Sequence, residues 1–357
     1  MIFSLGIAFR QFVKKQGFFY KNAVLLLLLL ALQQSSNAQK QKGKLADKPV
    51  FSDPVFDGAA DPIIVWNKAE KKWFMFYTNR RAKASGLDGV TWVHGTRIGI
   101  AESSDGASWK YRDTANINFR PTADYTHWAP DVFEHRGVYH MFLTYVPGVF
   151  TDWNHPREIL HLTSNDLLNW DYKSTLKLAT DKVIDASVYQ LPDGTWRIWY
   201  NNEKDRKSIY YADSKDLENW ELKGKAVGDR GGEGPKVFKW KGKYWMLVDN
   251  WAGMSFYYSD DLTKWTKQPD RVLELPGKGK DDQAIGGHAD VVVNGDRAYV
   301  YYFTHPGRVS KPFTDGFETR RSVIQVAELE YSNGVITVDR DKPAYVKLDK
   351  KETNKRK

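Results

Sequence analysis

The sequence predicts an all-β chain folded as a five-bladed β-propeller of four-stranded antiparallel blades, and three observations carry that expectation. An aromatic-rich run recurs five times, as KKWFMFYT (71–78), GVYHMFLTY (137–145), GTWRIWYN (194–201), GKYWMLVD (242–249) and DRAYVYYF (296–303). A second signature, Ser-x-Asp-x-x-x-Trp, follows four of these runs with identical spacing: SSDGASW (103–109), SNDLLNW (164–170), SKDLENW (214–220) and SDDLTKW (259–265). Each aromatic run is also preceded by a short extended segment headed by a residue able to do chemistry. These heads are Asp61 in DPIIVW, Trp128 in WAPDVF, Asp185 in DASVYQ, Glu233 in EGPKVF and His288 in HADVVV. They stand 67, 57, 48 and 55 residues apart, too irregular for a stacked solenoid but suited to blades set around an axis.

Within a unit, the head segment is the first strand and the aromatic run the second. The third is a strand-like run: RIGIAES (97–103), EILHLTS (158–164), SIYYADS (208–214) or MSFYYS (254–259). The Asp of Ser-x-Asp begins a turn that its own side chain can cap, and the Trp opens the returning fourth strand. The fifth unit lacks the signature but keeps its strands in RRSVIQVAELEYSNGVITVD (320–339). Because the first strand of every blade lines the central channel, the five heads are expected to converge as a ring at one end of it. The repeated Trp109, Trp170, Trp220 and Trp265 are expected to pack against the next blade. Trp92, Tyr125, Trp153 and Trp251 fall in loops and are candidates for stacking on a sugar ring.

At 357 residues and 41% apolar content the chain can bury a large core, and the repeat assigns most of it to one domain. Residues 1–38 read as a secretory signal peptide: cations at Arg10, Lys14, Lys15 and Lys21, an apolar stretch from Ala23 to Leu32, then Ser36-Asn37-Ala38. Residues 39–54 are a lead-in, 55–340 the propeller and 341–357 a basic tail. Export to the periplasm or the medium is expected, with no membrane span after signal cleavage. Without cysteine, no disulfide supports the fold. The net charge of +9, less the four cations of residues 1–38, leaves +5 on the mature chain. Solvated basic tails account for part of it, weak attraction to acidic polysaccharide or a membrane surface is the alternative, and no clustered basic motif marks a nucleic-acid partner. No oligomeric state is read from the sequence.

Asp61, Asp185 and Glu233 supply three carboxyls from three blades around one opening. Glycosidic bond cleavage needs an acid for the leaving oxygen and a base or nucleophile on the opposite face. A third carboxyl can raise the pKa of the acid. An isolated Asp-Pro or Glu-Gly-Pro usually serves a turn, and it is the repeated position that points to chemistry.

DPIIVW, WAPDVFEHRGVYHMFLTY, IDASVYQLPDGTWRIWY, EGPKVFKWKGKYWML and GGHADVVV, in this order, resemble glycoside hydrolase family 43 over roughly residues 55–335. That resemblance implies a five-bladed propeller acting on α-L-arabinofuranosides and β-D-xylosides of plant or algal polysaccharides or oligosaccharides, by an inverting and exo-acting route. It implies Asp61 as general base, Asp185 as the residue that tunes and orients the acid, and Glu233 as general acid. Trp128 would form a wall beside the sugar, while Asp131, three residues further, matches no catalytic position. His288 matches a Gly-His motif that in many members faces an axial metal, often calcium, though a neutral imidazole in the channel is the plainer reading. No cofactor is required for the chemistry. Arg320 resembles an Arg that reaches into the sugar subsite. The inserted segment RRAKASGLDGVTWVHGTR (80–97), with Trp92 and His94, is expected over the binding face and as part of it. Galactosyl or anhydrogalactosyl linkages, or a carbohydrate-binding propeller without catalysis, are the alternatives. A fructan-cleaving enzyme would have an Asn-Asp-Pro-Asn type motif where this chain has Ala60-Asp61-Pro62-Ile63.

Overall fold

Five four-stranded blades follow one another along the chain, the four strands of each in sequence order and antiparallel to their neighbours. They are seen in a computed structural model that describes residues 43–119 and 124–348. The expected signal, the start of the lead-in and residues 349–357 lie outside the described residues. Blade I comprises Ala59–Asn67, Lys72–Asn79, Arg97–Ser103 and Lys110–Thr114. Blade II comprises Thr126–His135, Val138–Val146, Glu158–Ser164 and Asn169–Thr175, with Asn116–Asn118 added parallel to its outer strand. Blades III and IV run through Val183–Gln190, Trp196–Asn202, Ser208–Ser214 and Glu221–Val227, then Glu233–Trp240, Lys243–Asp249, Met254–Ser259 and Thr266–Val272. Blade V, Gly287–Asn294, Arg297–Thr304, Val323–Ser332 and Val335–Val338, closes the ring against blade I.

The core consists of apolar wedges between adjacent blades. Alternation along a strand sends Trp73, Met75 and Tyr77 toward blade V and Phe74 and Phe76 toward blade II. With both faces of the inner strands buried, the aromatic runs have no polar alternation to show, which is why they read as unbroken. The signature tryptophans do pack between blades, but against the preceding blade rather than the next. Trp170 meets Phe76 at 5.7 Å, Trp220 meets Phe142 at 5.7 Å, Trp265 meets Trp199 at 6.0 Å and Trp109 meets Tyr301 of blade V at 6.2 Å. The physical reason is the Ser-x-Asp turn. Its left-handed residue (Gly106, Leu167, Leu217 or Leu262) reverses the chain and aims the Trp back across the sheet.

The turn is capped as the sequence implies. In blade II the Asp166 carboxylate accepts the N–H groups of Leu168 and Asn169, both at 2.8 Å, and the Ser164 hydroxyl accepts that of Leu167 at 2.8 Å. Asp166→Ala is expected to lower stability by about 1–2 kcal/mol, read as a lower urea midpoint at unchanged slope.

Both ends of the described chain extend the propeller beyond the expected boundaries. Val50 and Phe51 are buried, Phe51 bridges to Ile324, and Ala46 donates its N–H to the Ala344 carbonyl at 2.9 Å. Ala344 and Val346, within the expected basic tail, are buried in the same cluster. Apolar side chains at 46, 50, 51, 344 and 346 pack there because the junction of blades I and V leaves an apolar wedge to cover. Among the described residues no helix is long and apolar enough to cross a membrane.

Candidate active site

The inner strands place the site through a repeated bulge. In each blade the pairing of first and second strands slips by one residue, between Ala60 and Ile63, Trp128 and Asp131, Ile184 and Ser187, Glu233 and Lys236, and Gly287 and Ala289. Asp61, Ala129, Asp185 and Gly234 occupy the bulge in left-handed backbone, with φ of 54°, 42°, 60° and 57°. The five heads therefore stand in two registers. Asp61, Asp185 and His288 are bulge residues, whereas Trp128 and Glu233 come one residue earlier. Gly234 fills the bulge of blade IV because the His288 ring lies 2.5 Å from where a Cβ would be, which accounts for the Gly of Glu-Gly-Pro.

Neighbouring blades hold these bulges by their backbone. Thr78 accepts the Ala129 N–H at 2.8 Å, Thr144 that of Asp185 at 3.0 Å, and Asp249 that of His288 at 2.8 Å. The Asp185 carboxylate itself accepts the Gly234 N–H at 3.0 Å, tying it to the peptide that carries Glu233. The His288 Nδ1 sits 3.6 Å from Asp61 and 3.8 Å from Asp185, so the imidazole lies between the two carboxylates. Arg80 holds both oxygens of Asp61, at 3.1 and 3.3 Å.

Burial and neighbouring charge act on two of these acids, Glu233 and Asp185. Glu233 presents part of its surface to the channel, yet the protein packed around it withdraws enough water to push its carboxyl up to about 8, with the charges of Asp185 and Asp249 adding to the effect of burial. Asp185 is raised as well, by burial first and then by the charge of Asp61. Buried together, Asp185 and Glu233 keep a proton between them near neutral pH. On their far side Arg157 forms a buried pair with Glu203 at 2.9 Å and lies 5.4 Å from the Trp128 ring. Lys207 reaches Glu203 at 3.1 Å and covers Trp251 at 4.7 Å.

The other expected residues fall around this centre. Trp128 is buried, donates its ring N–H to the Val93 carbonyl at 2.6 Å and packs on His94 at 5.0 Å. His94, only 1% exposed, is enclosed by Trp128, Phe150 and Trp153 and is held neutral, its pKa lowered to about 4, chiefly by burial. It packs against the Trp128 ring from within the protein. Trp92 is edge-on to His305 at 6.0 Å. Arg320 binds Asp315 through two nitrogens and the Leu87 carbonyl at 3.0 Å, and Arg321 binds Asp57 and Asp281. Both arginines are engaged in holding loops, so the guanidinium set against the acids is Arg80, which sequence reasoning missed. Its signal was only its place at the first residue of the 80–97 insertion. That insertion is wedged between blades II and V, with the Val90 N–H on the Thr151 carbonyl at 3.1 Å and Leu87 on Arg320.

Calcium does not fit the axis. Among the described residues no three His, Asp or Glu side chains converge as ligands. Arg80 occupies Asp61, the Gly234 N–H occupies Asp185, and His288 offers nitrogen rather than oxygen. One layer further along the inner strands, the Lys236 ammonium lies 2.6 Å from Asp290 and 3.6 Å from Asp131. The remaining oxygens of those acids accept the N–H groups of Ile64 and Val188 from adjoining blades. A cation is present in the channel, and it belongs to the chain.

Comparison with known proteins places the chain in a family and agrees with its fold. The family model described as a probable glycosyl hydrolase domain, related to glycosyl hydrolase family 43, matches residues 28–281. A thermostable family-43 glycoside hydrolase superposes with a TM-score of 0.61 at 20% identity, over 84% of this chain and 98% of that one. A β-1,3-galactosidase of family 43 bound to galactodeoxynojirimycin gives 0.58 at 15% identity, over 79% and 93%. A β-xylosidase/α-arabinofuranosidase from a compost microbial metagenome, in a calcium-free form with xylotriose, gives 0.57 at 15%, over 82% and 97%. No curated protein matches the chain in sequence. With the family model matched over most of the chain and the fold in agreement, this chain belongs to the glycosyl hydrolase 43-related family and is a glycoside hydrolase.

Proposed function

We propose that the protein is an exported, inverting, exo-acting glycosidase in which Glu233 is the general acid, Asp61 the general base and Asp185 the tuner of the acid. The observation that carries this reading is the contrast between Glu233, raised by burial and neighbouring charge, and Asp61, fixed at both oxygens by Arg80. Asp61 takes a proton from water as the water oxygen bonds to the anomeric carbon. Glu233 gives its proton to the departing glycosidic oxygen as that carbon–oxygen bond breaks. His288 and Asp185 span the space between them and hold its geometry. The insertion, packed against the loops of blades II and V, supports terminal cleavage by walling one side of the opening. Export rests on the signal-like composition of residues 1–38.

Terminal α-L-arabinofuranosyl or β-D-xylosyl units are the first substrates to try, and the galactosidase likeness keeps galactosyl linkages as the second. The test is a panel of 4-nitrophenyl α-L-arabinofuranoside, β-D-xyloside and β-D-galactoside, with the first-formed anomer followed by NMR. A product of inverted configuration is expected. Retention would overturn the mechanism, and absence of turnover across the panel and on plant and algal oligosaccharides would overturn the catalytic reading.

The pH profile is a second check. Glu233 works protonated, so kcat/KM should hold through neutral pH and fall as pH rises through about 8. Asp185→Asn removes a charge that raises Glu233, so the alkaline limb should move to lower pH. An unmoved limb would show that Asp185 does not tune the acid.

A further inference from the structure

The Arg80 pair with Asp61 continues into a cationic corner that the reaction leaves unused. The Arg80 Nη1 lies 3.1 Å from the His305 Nε2, and the His305 Nδ1 lies 2.8 Å from the Arg321 carbonyl. A carbonyl can only accept, so Nδ1 carries the proton and Nε2 accepts from Arg80. Burial first, and then the Arg308 and Arg80 charges, hold His305 well below its ordinary pKa, so it is neutral. His305 meets Trp92 at 6.0 Å, and the Arg308 guanidinium lies 5.6 Å from the Trp92 ring and 5.0 Å from that of Phe313.

Arg308 differs from the arginines around it. Arg80 has Asp61, Arg157 has Glu203, Arg320 has Asp315, and Arg321 has Asp57 and Asp281. Arg308 donates its Nε–H to the Thr319 carbonyl at 2.6 Å and has no carboxylate partner among the described residues. Asp315 is the acid whose charge reaches it, and both oxygens of that acid are already bound to Arg320. Burial, helped by the charge of Arg80, lowers Arg308 to about 10, the mark of a half-buried cation short of a counter-charge. The corner therefore holds two guanidinium charges, one of them neutralised by Asp61, beside an aromatic ring. His305, Arg308 and Phe313 lie past the 28–281 stretch matched by the family model, whereas Arg80 and Trp92 lie within it.

We propose that Arg308, with Arg80 beside it, receives an acidic substituent of the sugar, a carboxylate or a sulfate ester, so that the preferred substrate is an anionic glycoside. A guanidinium fork matches either group with two parallel hydrogen bonds, and Phe313, 38% exposed beside it, offers a ring to the sugar that carries the group. This inference rests on the glycosidase reading, but binding tests it separately from turnover.

The probes are matched sugars: D-xylose against D-glucuronate, which differ by the carboxylate at C5, and D-glucose against glucose 6-sulfate. They are titrated calorimetrically into the full chain, the wild type and its Arg308→Gln and Arg308→Lys variants, each first shown to melt cooperatively. One acidic probe should bind roughly tenfold or more tighter than its neutral partner, the range of a charge-assisted hydrogen bond. The carboxylate and sulfate arms show which acid is recognised. Arg308→Gln should collapse that ratio, and Arg308→Lys should keep part of it. A ratio near one in the wild type, or one unchanged by Arg308→Gln, would overturn the inference and leave Arg308 a strut between Trp92 and Phe313. Failure of the glycosidase reading would be a separate result: no aryl glycoside turned over, whatever the binding ratio.

Discussion

Glu233→Gln should lower kcat on glycosides with poor leaving groups by roughly 10²–10⁴-fold, the range that a positioned general acid contributes. The substitution is nearly isosteric and removes only the transferable proton, so the loss has to depend on the leaving group. A dinitrophenyl glycoside departs without protonation and should retain far more of its rate than a methyl or oligosaccharide substrate. Asp61→Asn should impair both substrates alike, because water must be activated whatever leaves. The signature is thus a divergence between two substrates, which a merely misfolded variant cannot produce. Equal losses on both substrates from Glu233→Gln would remove Glu233 from the role of acid. The alkaline limb of the wild-type profile should also be missing from the residual activity of this variant, since the group that sets it is gone.

The blades were legible because each carries its own markers in local sequence. The Asp166 and Asp216 turns cap themselves, and the aromatic runs are buried on both faces. The three acids could be picked out for the same reason, each at the head of a repeat. What lay beyond local reading was decided by pairings between distant parts of the chain. The single-residue slip at each bulge leaves no mark in spacing that already varies from blade to blade, so Glu233 and Asp185 looked equivalent when one precedes the bulge and the other occupies it. Arg320 was the arginine marked in the sequence, yet its place was set by Asp315 and that of its neighbour Arg321 by Asp57 and Asp281, and Arg80 took the place against Asp61 from inside the insertion. Trp128 was marked by Trp-Ala-Pro, while the surroundings of His94 depended on three aromatic rings from other segments. Asp131, Lys236 and Asp290 did leave a trace. Each is a charge two or three residues past a head, within strands otherwise apolar on both faces, where a charge without partners is not tolerated.

That axial trio carries the largest expected effect on stability. Lys236 is 8% exposed, and its ammonium is the counter-charge for two carboxylates that are 3% and 2% exposed, Asp131 and Asp290. Lys236→Met keeps most of the side-chain volume and removes the charge, leaving two buried acids facing each other across the channel. Breaking a buried ion pair from one side costs about 3–5 kcal/mol, because the abandoned partner can neither rehydrate nor find another cation. The loss should appear in the urea midpoint and in the melting temperature. Adding Asp131→Asn and Asp290→Asn to Lys236→Met should recover most of the stability. Each amide oxygen can still accept the N–H of Val188 or Ile64, and no charge remains to be matched. A triple variant as unstable as Lys236→Met alone would locate the cost in packing rather than charge. Because Asp131 and Asp290 hold the backbones of blades III and I just past the bulges that carry Asp185 and Asp61, the single variant should also lose activity at temperatures where it is still folded, and the triple variant should regain it.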